Sequence, residues 1–270
     1  MDKFYVITNG SKDKDLKTTN YVKQCIEAHG KECILSVDQP EFPVGTDCVL
    51  VLGGDGTLIR AARELREQDV PMVGINLGTL GYLADVELQN IESAIAHIIH
   101  EKLPVEERMM LKGIVCGRHE DIALNDIVLT RLGVLRIIRF NLYVNGELLN
   151  SYQADGVIIS TPTGSTGYNM SAGGPIVQPT ASMIVITPIC SHSLNTRSIV
   201  LSADDEIVIE MGQGREGPLD EAVVSFDGDH HIRVTTGDRI VIRKAKDKTK
   251  LLKLSKISFL ETLRKKMKGN

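Results

Sequence analysis

Apolar positions along the first hundred residues alternate between two rhythms. Continuous apolar runs, KFYVITN (3–9), KECILSV (31–37), DCVLVL (47–52) and PMVGIN (71–76), have the length and content of buried strands. Between them, KDLKTTNYVKQCIEAHG (14–30, closed by Gly30), TLIRAARELREQ (57–68) and NIESAIAHIIHEK (90–102) repeat apolar residues at helical spacing. Buried strands separated by amphipathic helices predict a largely parallel, Rossmann-like α/β sheet covered on both faces. Ligands of such sheets gather at the carboxyl ends of the strands. The loop 53–57 lies at one such end, and INLGTLGYL (75–83) begins at another.

After Pro104 the rhythm changes to short alternating runs: RFNLYV, GVIIS, MIVITP, DEIVIEM, AVVSF and DRIVIRK. Asn145-Gly146, between RFNLYV and ELLNSY, is a strong hairpin signal. This part reads as an all-β domain with one short helix after the Gly-rich stretch near Ser165. The predicted organisation is an α/β domain at 1–103 and a β-rich domain at 104–250, with 251–270 returning to the first. In that tail Phe259, Leu260, Leu263 and Met267 form an apolar helical stripe, which predicts a helix docked on the first domain.

Composition narrows the class. The 270 residues are 42% hydrophobic and 24% charged, ordinary for a globular protein. No apolar run approaches the ~20 residues of a membrane span, and the N-terminus reads as a first strand rather than a signal peptide. Five scattered cysteines, Cys25, Cys33, Cys48, Cys116 and Cys190, suit reduced thiols in a cytoplasmic protein. The net charge of −4 is uneven, because residues 243–270 carry 11 Lys and Arg against 2 Asp and Glu. Without aromatic or glycine interleaving, those cations fit the polar face of the docked helix better than a nucleic-acid surface.

The candidate chemistry centres on VLVLGGDGTLIRAAR (49–63). A strand running into Gly53, Gly54 and Gly56 and then a helix is how chains build a phosphate cradle. The loop lacks the lysine of a Walker A motif, and Ile59 stands where the dinucleotide fingerprint needs glycine. It also carries an acid, Asp55. Spacing leaves two readings open: a helix cap, for which Thr57 would serve equally well, or a functional carboxylate. Beside phosphates, a carboxylate either binds their metal or takes the proton of an attacking hydroxyl.

GGDGT resembles the loop shared by NAD kinases, diacylglycerol and sphingosine kinases, and 6-phosphofructokinases. ALNDIVL, DGVIISTPTGSTGYNMSAGGP (155–175), TPICSHSLNTRSIVL and NLGTLGYL resemble NAD kinase segments, in order, from about residue 50 to 228. The resemblance implies phosphoryl transfer from ATP, or in some members polyphosphate, to the adenosine ribose 2′-hydroxyl of NAD, giving NADP. It implies that Asp55 is the general base and that Gly53, Gly54 and Gly56 let phosphates and ribose approach. Asn125 and Asp126 would face the adenosine, against a plain Asn-Asp turn as the alternative. Asp155, Thr166, Gly167, Tyr168, Asn169 and Ser171 would line the same pocket, and Arg60 and Arg136 would lie near phosphates. Gly167 stands where the family usually has Ala, Gln153 replaces a basic residue of some relatives, and Asp229 sits where a Gln often contacts ligand. The implied metal is Mg²⁺ carried by the nucleotide; His97, His100, His230 and His231 read as ordinary histidines, since no acid or cysteine completes a metal set. The implied partners are NAD, ATP and further copies of the chain, as a dimer or tetramer, without nucleic acid or membrane. A lipid kinase and a non-catalytic dinucleotide-binding regulator remain the alternatives.

Overall fold

The computed structural model describes residues 1–78, 81–133, 137–193, 196–212, 220–255 and 257–268. The chain divides into two compact units, Met1–Glu107 with Thr249–Asn270, and Arg108–Lys248.

The first unit runs β1 (Lys3–Thr8), α1 (Lys17–Ala28), β2 (Glu32–Leu35), β3 (Cys48–Gly53), α2 (Asp55–Glu64), β4 (Met72–Asn76), β5 (Val86–Glu87) and α3 (Ile91–His100). The strands lie in the order β2-β1-β3-β4, all parallel, with β5 parallel beyond β4. Leu251 also pairs in parallel with Met72. Every residue of β3 is buried, the expected state of a central strand covered on both faces. Val22 and Ile26 of α1 and Ile91, Ile95 and Ile98 of α3 join Phe4, Val6, Leu50, Leu52 and Ile75 in one core. The first helix starts three residues later than its apolar pattern suggests. Leu16 is left-handed (φ 52°), and the Asp13 carboxylate accepts the N–H groups of Thr18 and Thr19 and the Thr19 hydroxyl. That local ring competes with helix before Lys17.

Among the described residues the second unit is mostly β, with a short helical stretch between Gly164 and Ser171. Its elements are β6 (Val105–Val115), β7 (His119–Ala123), β8 (Asp126–Arg131), β9 (Ile138–Val144), β10 (Glu147–Ala154), β11 (Gly156–Ser160), α4 (Tyr168–Ser171), β12 (Met183–Ile189), β13 (Ile199–Ser202), β14 (Ile207–Met211), β15 (Glu221–Phe226), β16 (Asp229–Thr235) and β17 (Arg239–Leu252). One antiparallel set is β10-β9-β14-β17, and the other is β13-β12-β11-β8-β15-β16. Phe140, Leu142, Ile207 and Ile240 of the first and Ile159, Ile186, Val224 and Phe226 of the second share a single core. Asn145 (φ 50°) and Gly146 (φ 84°) make the expected tight hairpin, both left-handed.

The final helix, α5 (Phe259–Met267), corrects one expectation. No residue of it is buried; Leu260 and Met267 are 71% and 75% exposed. Its side-chain contacts with the first unit include the ring of Tyr82. Phe259 lies 6.5 Å from that ring, and Lys266 sits over it at 4.6 Å. The helix meets the first unit without burying its apolar stripe. No helix among the described residues is long and apolar enough to cross a membrane. Burial pushes the Cys33 thiol up to about 12 and raises that of Cys48 as well, so both are unreactive.

Candidate functional site

Asp55 does not cap its helix, and neither does Thr57. Gly54, in an extended conformation, is the N-cap residue, and no side chain takes the first amides of α2. A side chain can cap only from that position or by reaching back to it, and Gly54 has none to offer. The Asp55 carboxylate turns instead to a separate loop. Oδ2 accepts the N–H of Tyr82 at 2.7 Å, and Oδ1 accepts those of Leu83 and Ala84 at 3.1 and 3.3 Å. Gly81 is required by this closeness, because a Cβ there would overlap the carboxylate. Thr57 Oγ1 accepts from Asn9 Nδ2 at 3.1 Å. The space beside Gly53 is filled by the Thr57 side chain, so that glycine serves packing rather than ligand approach.

The loop that holds Asp55 is itself tied down. Asp85 accepts the N–H groups of Leu254 and Ser255, both at 2.8 Å, and the Lys253 ammonium at 2.9 Å. A cavity of about 530 Å³ opens beside Asp55, lined by Asn9, Lys12, Gly54, Gly56, Thr57, Arg60, Gly81 and Lys266. Arg60 is exposed there, 3.9 Å from Glu64. Sequence reasoning missed Lys12 and Asp85.

In the second unit, Asn125 and Asp126 are held by a residue that was not anticipated. Asp227 accepts the N–H groups of Leu124, Asn125 and Asp126 at 2.8, 2.7 and 3.1 Å. Asp126 is only 5% exposed; burial first, and the Asp227 charge second, push its carboxyl up to about 7. The Asn125 carbonyl accepts the Thr161 N–H at 2.8 Å, and Thr161 Oγ1 donates to the Leu124 carbonyl at 2.6 Å. Gly164 must lack a Cβ, which would overlap the Asn125 carbonyl oxygen. The Asn-Asp pair and the PTGSTG loop therefore form one knitted corner.

The other expected residues separate. Thr166 and Gly167 are half-buried beside that corner, and Tyr168 (46% exposed) and Ser171 are open to ligand. Asn169 is not: it is 0% exposed, with Nδ2 donating to the carbonyls of Ser165 and Pro175 and Oδ1 accepting from Thr187. Its task is to shape the loop. Asp155 lies elsewhere. Ser160 pairs with Asp126 and Gly156 with Thr130, so β11 carries Asp155 about 16 Å along the sheet from Asp126. There it pairs with Arg131 at 2.8 Å, and it does not share the pocket of Asn125 and Asp126 within its unit. Arg136 lies outside the described residues.

Comparison with known proteins identifies the family and the fold. A model of the ATP-NAD kinase N-terminal domain matches residues 4–103, and one of the ATP-NAD kinase C-terminal domain matches residues 124–254. The chain is 47% identical to an NAD kinase of Lachnospira eligens, covering 99% of this chain and 100% of that one. It is 49% identical to an NAD kinase of Agathobacter rectalis, covering 100% and 99%. In fold it is similar to a yeast NADH kinase complexed with NADH (TM-score 0.88, 22% identity, 100% and 88% covered). It is likewise similar to an NAD kinase from Archaeoglobus fulgidus in complex with ATP (TM-score 0.81, 24% identity, 98% of each chain). With both domain models matched in order and near-full-length relatives above 40% identity, the chain belongs to the NAD kinase family.

Proposed function

We propose that the protein transfers a phosphoryl group from ATP to the 2′-hydroxyl of the adenosine ribose of NAD, giving NADP. The observation that carries this reading, within a chain of this family, is the Asp55 carboxylate fixed by three backbone N–H groups beside a cavity lined with cations. An alcohol acceptor needs a base for its proton, and a carboxylate held in one orientation is ready to take it. The amides use both lone pairs of Oδ1 but only one of Oδ2, so Oδ2 keeps a site for the hydroxyl. Asn125 and Asp126 hold ribose hydroxyls, and the Tyr168 ring offers a face or a phenolic donor to the base.

No group of three or more His, Cys, Asp or Glu among the described residues could hold a metal. Asp55 is the one carboxylate lining the cavity among the described residues, a donor set that fits an ion arriving with the nucleotide and keeping several waters. Such a divalent ion, Mg²⁺ in this reading, neutralises charge on the phosphates.

The test is to incubate the pure protein with NAD, ATP and Mg²⁺ and assay NADP, with diacylglycerol and sphingosine as competing acceptors. NADP without lipid product is expected; lipid phosphorylation without NADP would reverse the assignment. At pH 8, where its carboxyl is ionised, Asp126→Ala should weaken NAD binding by about 1.5–3 kcal/mol, the range for a hydrogen bond to a charged group. Unchanged affinity in calorimetry would reduce Asn125-Asp126 to a turn. A dimer or tetramer is expected by light scattering at micromolar concentration, and a monomer there would refute it.

A further inference from the structure

Resting on the kinase reading and deepening it, we infer that Asp85 is a positioning residue for the reaction, acting through the loop whose amides aim Asp55. Asp85 follows directly on Tyr82, Leu83 and Ala84, the three residues whose N–H groups the Asp55 carboxylate accepts. It does not line the cavity beside Asp55. What it contributes to turnover therefore passes through those amides.

The loop needs such an anchor because packing braces it on one side only. Towards β4 the fit is close. A Cβ on residue 74 would stand 2.8 Å from the Cα of Ala84, so glycine there lets the loop lie against the strand. The Asp85 N–H donates to the Gly74 carbonyl at 3.1 Å, and β5 adds parallel pairing of Ile75 with Val86 and Asn76 with Glu87. On another side Gly81, Tyr82, Ala84 and Asp85 line a second cavity, of about 290 Å³. Close packing is what normally holds a loop in one place, so on that face polar bonds must supply the restraint.

The Asp85 side chain supplies it. Oδ2 accepts the N–H groups of Leu254 and Ser255, and Oδ1 accepts from the Lys253 ammonium. Only 11% of that side chain is exposed, so salt screens the pair less than it would a surface pair. The residues it grips are a fixed point. Leu252 is buried in the core of the first unit, Leu254 packs against the same core, and the Lys253 N–H donates to the Pro104 carbonyl at 3.0 Å. One acid thus ties the base's loop to a segment 168–170 residues further along the chain.

Kinetics at saturating substrates, well below each melting temperature, test this. Asp85→Ala should lower kcat about ten- to hundredfold, the scale of a small misplacement at the reacting centre, with both KM values within about twofold. In an Asp55→Asn protein the same substitution should cost less than about twofold, since the carboxylate it serves is already gone. Asp85→Asn, a second variant should Asp85→Ala not fold, keeps an oxygen for the two N–H groups but turns its own amide N–H onto Lys253. It should lose kcat as well, and adding Lys253→Met should restore turnover to within about threefold of the wild type. Asp69→Asn, which removes the charge of the exposed pair with Lys250 in the same unit, should leave kcat unchanged. No loss of kcat in the Asp85 variants, a loss confined to KM, or one that multiplies in full with Asp55→Asn would overturn the inference. Hydrogen exchange tells that failure from failure of the kinase reading. The amides of Tyr82, Leu83 and Ala84 should exchange about tenfold faster in Asp85→Ala, while those of β3 keep their protection. Faster exchange in a protein that makes no NADP would support the tie and refute the kinase reading; unchanged exchange would refute the tie itself.

Discussion

An Asp55→Asn protein should turn NAD over roughly 10²- to 10⁴-fold more slowly, equivalent to about 3–5 kcal/mol in the barrier. Asn matches Asp in size but cannot accept the 2′-hydroxyl proton. The variant should also lose stability. Both Asp55 oxygens receive N–H groups, so in Asn the amide nitrogen must face the N–H of Tyr82 or those of Leu83 and Ala84. Donor against donor leaves a part-buried amide unsatisfied, at about 1–3 kcal/mol. Had Asp55 been a helix cap, Asn would have replaced it at almost no cost. The experiment is therefore kcat at saturating substrates, well below the melting temperature, beside a calorimetric Kd for NAD and a melting curve. Near-normal kcat in the folded variant would remove Asp55 from the role of base. Lost NAD affinity with kcat preserved would make it a binding residue.

Spacing leaves Asp55 open as either a cap or a functional carboxylate, and there sequence stops. Spacing places an acid near a helix start, but one residue separates the N-cap from the first helical position. Only the backbone shows that Gly54 holds the former. The three amides that Asp55 binds lie 27–29 residues away, in a segment noticed only as a strand end and a family motif. The strands and helices of the first unit were legible because their signals are local: β3 is a continuous apolar run because both its faces are buried. The stripe on α5 was equally local and misled, since periodicity reports a surface that can be buried and not one that is. Asp155 separates from the others for the opposite reason. It opens the same contiguous motif as Thr166 and Tyr168, but an extended strand carries it away from Asp126 while the PTGSTG turn brings the others near. Asp227-Gly228 forms the tight turn between β15 and β16, with left-handed angles of 53° and 73°. Nothing local announced that its carboxylate serves amides 101–103 residues earlier.

Removing that carboxylate should have the second large effect. In Asp227→Ala the N–H groups of Leu124, Asn125 and Asp126 lose their acceptor together. At about 1–3 kcal/mol for each unsatisfied amide, less where water enters, the expected loss is about 2–5 kcal/mol. NAD affinity should fall as well, because Asn125 and Asp126 are no longer held in place. A melting curve and an NAD titration would check this, and a variant as stable as the wild type would show that water replaces the carboxylate. The charge of Asp227 has a separate signature. Asp126 titrates at about 7 in the folded protein, against about 3.9 in an unfolded chain. Between those values the folded state holds a proton that the unfolded state has lost. Asp126 therefore contributes stability that is fully present below pH ~4 and is lost as pH rises through about 7, roughly 4 kcal/mol at most. Burial is the larger cause and Asp227 the smaller, so Asp227→Asn should lower the upper edge of this window without abolishing it. Asp126→Asn should abolish it. Stability of the ligand-free protein measured from pH 4 to 8 separates the three forms, and an identical profile in all of them would show that Asp126 ionises normally and that Asp227 only places the backbone.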